Sequence, residues 1–407
     1  MKKMYVGNIC KSVSETFNKQ QDSVILINTS DILNGKILNN KKEPNNNLKG
    51  QFKKTFKTAD ILYSEIRPAN KRFAFVSEEN TKNYVASTKL MVLRAFKEFV
   101  VPKYLYLYLT SSEIVNKLQQ LAESRSGTFP QITFSEEISN LVINLPSQNI
   151  QNKIVDFISS IDNKIEVNNQ INKNLEEQAQ SVFKSWFIDT PSSSTWQTGT
   201  FSDIIDTMIV GDWGKDHQIG NNTEMVYCIR GTDIPDVKSG NKGKMPARFI
   251  LPKNYATKQL VAGDVVAEIS GGSPSQSTGR IASISQSLLN RYDKGMVCTN
   301  FCKAMKPKPG YSMFVYYYWQ YLYDKGVFFM YENGTTGIKN LDISGFIKTE
   351  LIVLPPVELV KKFNTFCLSL FDVIFVNGHA NEQLAKIRDT LLPKLMSGEL
   401  DVSKLDF

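Results

Sequence analysis

Apolar residues spaced three and four apart mark two long amphipathic stretches. In the first, Ile150, Ile154, Ile158, Ile161 and Ile165 share one helical face. After a polar interval at Asn168, Asn169 and Asn172 the stripe resumes at Leu175, Ala179, Val182 and Trp186. Pro146-Ser147 marks the start, with Ser147 suited to cap the helix. The second stretch follows Pro355-Pro356 and runs through Val357, Val360, Phe363, Leu368, Phe371 and Phe375, then Leu384, Ile387, Leu391 and Leu395. Asn377-Gly378 falls opposite Val167-Asn168, so the pattern predicts a weak point near the middle of both helices. About 40 helical residues extend ~60 Å, and so long a helix with one narrow apolar face needs a partner. Each stretch supplies the other's.

The segments ahead of these helices read as mixed α/β. Short strand-like runs at 24–27, 60–64, 91–93, 225–229 and 264–269 are separated by turn-rich polar stretches, of which 39–50 and 239–243 are loops by composition. Aromatic-rich helices are predicted at 103–121 and 314–331, and the Ser-rich segment 190–199 reads as a linker.

The two halves match. An offset of 210 aligns Tyr106 with Tyr316, Tyr108 with Tyr318, Leu141 with Leu351, Pro146 with Pro356 and Lys184 with Lys394, and it superimposes the apolar positions of the helical stretches without a gap. Upstream the offset shortens: Ile27, Asp31 and Ile32 match Ile229, Asp233 and Ile234 at 202, and Asp60 and Leu62 match Asp264 and Val266 at 204. Each repeat is therefore a module of variable loop length followed by a helix of constant length. At roughly 100–200 residues per domain, 407 residues suit this division.

Charge follows the same division. Residues 1–123 hold 20 Lys+Arg against 11 Asp+Glu (+9), residues 124–190 balance at −3, residues 191–333 at +3 and residues 334–407 at −1. Basic globular segments alternating with slightly acidic helices point to a polyanion as partner of the globular parts. The longest apolar runs fall far short of the ~20 residues needed to cross a bilayer, so no membrane association is expected. Lys11 and Glu15 interrupt any signal-peptide core after Met1-Lys2-Lys3, and a cytoplasmic protein is expected. Five scattered cysteines read as reduced thiols.

Catalytic constellations are missing. There is no Gly-rich loop ending in Gly-Lys-Ser/Thr, and the two histidines, His217 and His379, lie far apart. Cys298 and Cys302 form a single Cys-x3-Cys with no second pair, so no metal site is expected. No Asn/Asp-Pro-Pro-aromatic motif of amino-methyltransferases occurs, and Pro235-Asp236 lacks the acidic-x-Lys pair of the usual nuclease arrangement. The expectation is a binding protein with no catalytic residue and no cofactor.

Several segments carry a family resemblance. The ending Leu391-Leu392-Pro393-Lys394-Leu395-Met396-Ser397-Gly398-Glu399-Leu400 is one. Leu145-Pro146 and Leu354-Pro355-Pro356 ahead of the helices, the run DVVAEISGGSPSQSTGR at 264–280, Cys298-Thr299-Asn300-Phe301-Cys302 and Gly334-Thr335-Thr336-Gly337 are the others. In this order on a duplicated scaffold, the chain resembles, over essentially its full length, the specificity subunit of type I restriction–modification systems. It departs from the pattern in lacking a clear Gly-x-Thr-Pro near its start, and 124–131 matches the Gly-Thr-Thr-Gly loop only loosely.

The resemblance implies an α+β protein with an internal pseudo-twofold repeat, in which two globular α/β target-recognition domains are joined by two long helices packed antiparallel as a coiled-coil-like spacer. The expected boundaries are 1–145 for the first recognition domain, 146–189 for the first helix, 190–199 for the linker, 200–354 for the second domain, and 355–407 for the second helix and tail. It also implies a bipartite, asymmetric site on double-stranded DNA, two methyltransferase subunits around the helices, and restriction–motor subunits joining them. Lys and Arg would place each module on phosphates while polar side chains read base edges. The candidates are Arg67, Lys71, Arg72 and Arg125 in the first module and Ser273, Gln276, Thr278, Arg280 and Lys339 in the second. The competing readings are a free-standing sequence-specific DNA-binding regulator and a structural adaptor without DNA contact.

Overall fold

The structure is a computed structural model describing residues 1–407 except 19–20, 47, 49, 125–129, 274, 335–337 and 403–407. It divides into two compact units, Met1–Asn163 with Leu384–Phe407, and Lys164–Gln383.

The first unit is built on a four-stranded antiparallel sheet with strand order Cys10–Val13, Leu90–Ala95, Ile61–Ser64, Phe73–Phe75. The central strand Ile61–Ser64 is buried along its whole length, which is why it reads as a continuous apolar run. A second sheet orders Glu43–Pro44, Ser23–Ile27, Tyr84–Ser87, Phe52–Lys54, with Ser23–Ile27 and Tyr84–Ser87 parallel. Lys2–Tyr5 pairs antiparallel with Val142–Leu145, the strand that feeds the first long helix.

The second unit repeats this plan in its main sheet, its parallel pair and the strand pair ahead of the helix. Its antiparallel sheet orders Ile205–Val210, Cys302–Pro307, Val265–Glu268, Ile281–Ser283. A parallel pair, Glu224–Ile229 with Met296–Cys298, carries Ala247–Ile250 on its edge. Gln197–Thr200 pairs with Leu351–Leu354 ahead of the second long helix. An added ribbon of Ser270–Gly271, Lys339–Leu341 and Glu332–Asn333 occurs only here among the described residues. The sequence offsets at Asp60 and Asp264 correspond to a shared local structure. Asp60 accepts from Lys57 N at 2.7 Å and pairs bidentately with Arg94 at 2.8 and 2.7 Å. Asp264 accepts from Val261 N at 2.9 Å and lies 3.4 Å from Lys306 Nζ.

Both aromatic-rich helices are shorter than expected. The first breaks at Ser111, whose extended backbone caps Ser112–Glu123 after Pro102–Thr110 has ended. The second, Ser312–Asp324, stops where Gly326 takes a left-handed conformation (φ 73°).

The long helices are Gln148–Phe183, continued by a wider turn over Lys184–Ile188, and Val357–Ser397. In the second unit, residues 164–183 and 357–383 run antiparallel. Phe183 and Phe187 pack on Phe363 at 5.9 and 5.1 Å, while Asn168 meets Asn381. In the first unit, Ile154 and Ile158 share a core with Leu392, Leu395 and Met396, and Arg388 reaches Asp162 at 2.8 Å. The expected weak point is absent: both helices continue through it. The polar interval is a buried ladder, in which Asn168 Nδ2 donates to Asn381 Oδ1 (2.8 Å), Asn381 Nδ2 to Asn169 Oδ1 (2.9 Å), Asn377 Nδ2 to Asn172 Oδ1 (2.9 Å) and Asn172 Nδ2 to the Ile374 carbonyl (3.0 Å). Gly378 lets the Gly240 backbone lie directly against the helix, where any Cβ would strike the Gly240 carbonyl. The apolar stripe is also shifted: Cys367 and Ile374 are buried, whereas Leu368 and Ile387 are 41% and 46% exposed.

Candidate nucleic-acid interface

Seven of the nine candidate residues fall on structurally equivalent loops, while Lys339 lies on the strand Lys339–Leu341 and Arg125 outside the described residues. In the first unit, residues 65–72 connect Ile61–Ser64 to Phe73–Phe75; in the second, 269–280 connect Val265–Glu268 to Ile281–Ser283. These are the same two strands of the same sheet.

The first loop is short and strained. Arg67 and Lys71, both exposed, take left-handed conformations (φ 47° and 53°) on either side of a single 3-10 turn, Pro68–Asn70. Such backbone costs an L-residue about 1–2 kcal/mol. It is held by Arg67 N donating to the Pro130 carbonyl (3.1 Å) and Ala69 N to Gln119 Oε1 (3.0 Å). Arg72 is committed within the unit, with Nη1 donating to the Ser30 and Ile32 carbonyls at 3.1 Å each. Arg125 lies outside the described residues.

The second loop borders a cleft of about 750 Å³ lined by Trp213, Arg230, Glu268, Gln276, Arg280 and Phe301 among others. On its floor, Arg280 forks onto buried Glu268, Nε to Oε2 at 2.8 Å and Nη2 to Oε1 at 2.6 Å. That carboxylate raises the guanidinium pKa further. Arg230 forks in the same way onto buried Asp233 at 2.9 and 3.1 Å. Burial pushes the Asp233 carboxyl up, but the Arg230 fork and two backbone donors outweigh it, and the net shift is downward. Trp213 is stacked beneath Arg248, whose guanidinium carbon is 3.7 Å from the ring centroid.

Thr278 is fully buried and donates through Oγ1 to Glu332 Oε1 at 2.9 Å, and Lys339 Nζ reaches Glu332 Oε2 at 2.7 Å. Burial alone would raise the Glu332 carboxyl; Lys339 and Thr278 bring it below its ordinary value. Ser273 closes the loop tip, its Oγ accepting from Gln276 N at 3.1 Å. The Gln276 side chain is exposed and takes no protein partner among the described residues. The quoted Gly-Thr-Thr-Gly run lies outside the described residues at 335–337.

All five cysteines are buried; burial pushes the Cys302 thiol up to about 12, and Cys298, hydrogen-bonded to the Cys302 carbonyl at 3.7 Å, is raised as well. No cluster of three or more metal-ligating side chains occurs among the described residues, and no described helix is long and apolar enough to cross a membrane.

Comparison with known proteins supplies the context. Residues 5–177 match the type I restriction modification DNA specificity domain. Over 98% of its length the chain is 31% identical to the type I restriction enzyme HindI specificity subunit of Haemophilus influenzae, covering 99% of that protein. The chain belongs to the type I restriction enzyme specificity subunits. The MjaIX specificity subunit of Methanocaldococcus jannaschii is 28% identical over 76% of this chain and 71% of its own. The type I S subunit from M. genitalium shares the fold, with a TM-score of 0.53 at 16% identity over 99% of this chain and 96% of its own. As a specificity subunit the protein is a DNA-recognition component and not the catalytic one.

Sequence reasoning missed most of the cleft of this specificity subunit: Trp213, Arg230, Glu268, Asn300 and Phe301 were not singled out. Phe301 carried the available signal, an aromatic residue next to Asn300 in a run already quoted. Glu268 carried none, because an acid ending an apolar strand gains meaning only once Arg280 folds back on it.

Proposed function

We propose that this subunit binds a split, asymmetric site on double-stranded DNA, one half with each unit. Its long helices carry two methyltransferase subunits, which restriction–motor subunits join, and it works in the cytoplasm. One observation carries this reading: like sheets present unlike loops. The same two strands hold a short basic loop in one unit and a longer, amide-bearing loop in the other. A homodimeric reader would present one loop twice and favour a palindrome.

On this reading Arg67, Lys71 and Arg125 approach phosphates or bases of one half-site, and Ser273 and Gln276 approach the other. Arg72, Thr278, Arg280 and Lys339 hold the loops through their internal bonds. On the same reading the recognition domains span 1–145 and 200–354, and the helical spacers 146–189 and 355–407 with a linker at 190–199. Family membership favours this reading over a free-standing regulator.

The test is methylome sequencing of cells expressing the chain with a type I methyltransferase subunit. A single motif with two different halves is expected, and Ser273→Ala with Gln276→Ala should relax one half only. A contiguous or palindromic motif, or equal loss in both halves, would refute the reading.

A further inference from the structure

The cleft of the second unit holds two arginines whose forks are already occupied. Arg280 is bidentate on Glu268 and Arg230 on Asp233, so the Nε–Nη2 edge of each guanidinium is already engaged. Two carboxamides remain without a protein partner among the described residues. Gln276 stands at the loop tip, and Asn300 is exposed on the turn joining Met296–Cys298 to Cys302–Pro307.

Next to Asn300 is Phe301, 62% exposed on a turn that is itself rigid. Its carbonyl accepts from Ile269 N at 2.9 Å and its amide donates to Thr299 Oγ1 at 3.3 Å, while Cys302 N closes the turn onto the Thr299 carbonyl at 2.9 Å. A rigid backbone therefore holds a large apolar ring in water at the mouth of the cleft. In a DNA-recognition subunit, an apolar feature of the ligand would give that ring a partner.

The major-groove edge of an A·T pair fits this set. Adenine N6 donates to a carboxamide oxygen while N7 accepts from the carboxamide NH2, and the thymine 5-methyl is the apolar group that the groove displays. We propose that the cleft mouth reads an A·T pair, with Gln276 or Asn300 on the adenine edge and Phe301 against the thymine methyl. Arg280 is then a positioning residue that holds the floor. This rests on the reading that the second unit recognises one half-site, and it names the base pair and the residues that specify it.

The test uses the full chain assembled with its methyltransferase subunits, on duplexes carrying the motif found by methylome sequencing. Each thymine of the two halves is replaced in turn by uracil, which removes only the 5-methyl. One uracil should weaken binding about four-fold, the worth of one buried methyl group. In Phe301→Ala the thymine duplex should bind equally less well, and the uracil penalty should vanish at that position alone. Gln276→Ala or Asn300→Ala should relax the requirement for the paired adenine. Because all three side chains are exposed, unchanged tryptophan fluorescence and thermal midpoint will show that the variants fold. A uracil penalty that persists in Phe301→Ala, or a half-site with no methyl-sensitive thymine, overturns the inference while leaving split-site recognition standing. Equal affinity for the motif duplex and for one in which that half-site is scrambled would sink the underlying reading instead.

Discussion

The asparagine ladder between the long helices can be taken apart pairwise. Asn168 is 2% exposed and its amide donates to Asn381 Oδ1, while Asn381, 6% exposed, donates in turn to Asn169, which is open to solvent. Asn381→Ala orphans a buried amide donor, which costs about 1–3 kcal/mol, and loses a bond to Asn169 that water replaces for a few tenths. The total is about 2–3 kcal/mol. Asn168→Ala orphans one carbonyl oxygen of Asn381 and should cost somewhat less, about 1.5–2 kcal/mol. The double variant has no stranded partner left, so it should fall short of the sum by about 1–1.5 kcal/mol. The assay is convenient, because Trp186, Trp196, Trp213 and Trp319 are the chain's four tryptophans and all belong to the second unit. Urea titration followed by tryptophan fluorescence therefore reports that unit. Additivity within about 0.3 kcal/mol would refute the idea that the two side chains act as a buried pair.

Gly378→Ala should lower the same fluorescence midpoint by the equivalent of about 1–3 kcal/mol, since the new methyl meets the Gly240 carbonyl backbone. In the first unit, Arg94→Ala leaves Asp60 as a buried carboxylate without its counter-ion. Hydrogen exchange of the strands at 61–64 and 90–95 should report a loss of about 3 kcal/mol, against less than about 1 for Glu15→Gln at the exposed end of the same network. Asp233 and Glu332 both titrate below their ordinary values in the fold. Their stabilisation is thus fully present above the unfolded-state values near pH 4 and is lost as the pH falls through the lower folded-state ones. The thermal midpoint of the second unit should drop through that acid window, and less steeply in Asp233→Asn.

How much could be read in advance depended on whether the signal was local. Strands such as Ile61–Ser64 and Val265–Glu268 were legible because their side chains are buried in unbroken runs, and the helices because their period persists for ten turns. Asn168 and Asn172 were misread as an interruption, since a polar residue in a stripe looks like a defect until the facing helix supplies Asn377 and Asn381. The breaks at Ser111 and Gly326 were missed because aromatic content alone suggested continuous helix. The reading loops were locatable from the duplication, but the commitment of Arg280 and Thr278 was not. Their partners Glu268 and Glu332 lie 12 and 54 residues away and are brought in by sheet pairing.

The ion pair shared by the two sheets explains how the loops differ without disturbing the scaffold. Asp60 and Asp264 each stand just before the central strand, where a backbone amide and a cation fix them, and the variable loop leaves from the opposite end of that strand. Anchored at one end and paired on both sides, Ile61–Ser64 and Val265–Glu268 keep register with Leu90–Ala95 and Cys302–Pro307 whether the loop holds eight residues or twelve. The anchoring does not make the loops freely portable. At the offset of 204 that relates the anchors, Glu268 corresponds to Ser64, whose hydroxyl turns back to the Ile66 carbonyl at 3.2 Å. Moving residues 269–280 into the first unit would bring Arg280 without its acceptor and leave a guanidinium pressed against a serine. A graft that begins at Glu268 carries the floor of the cleft with it, so the transferable recognition element starts one residue inside the strand.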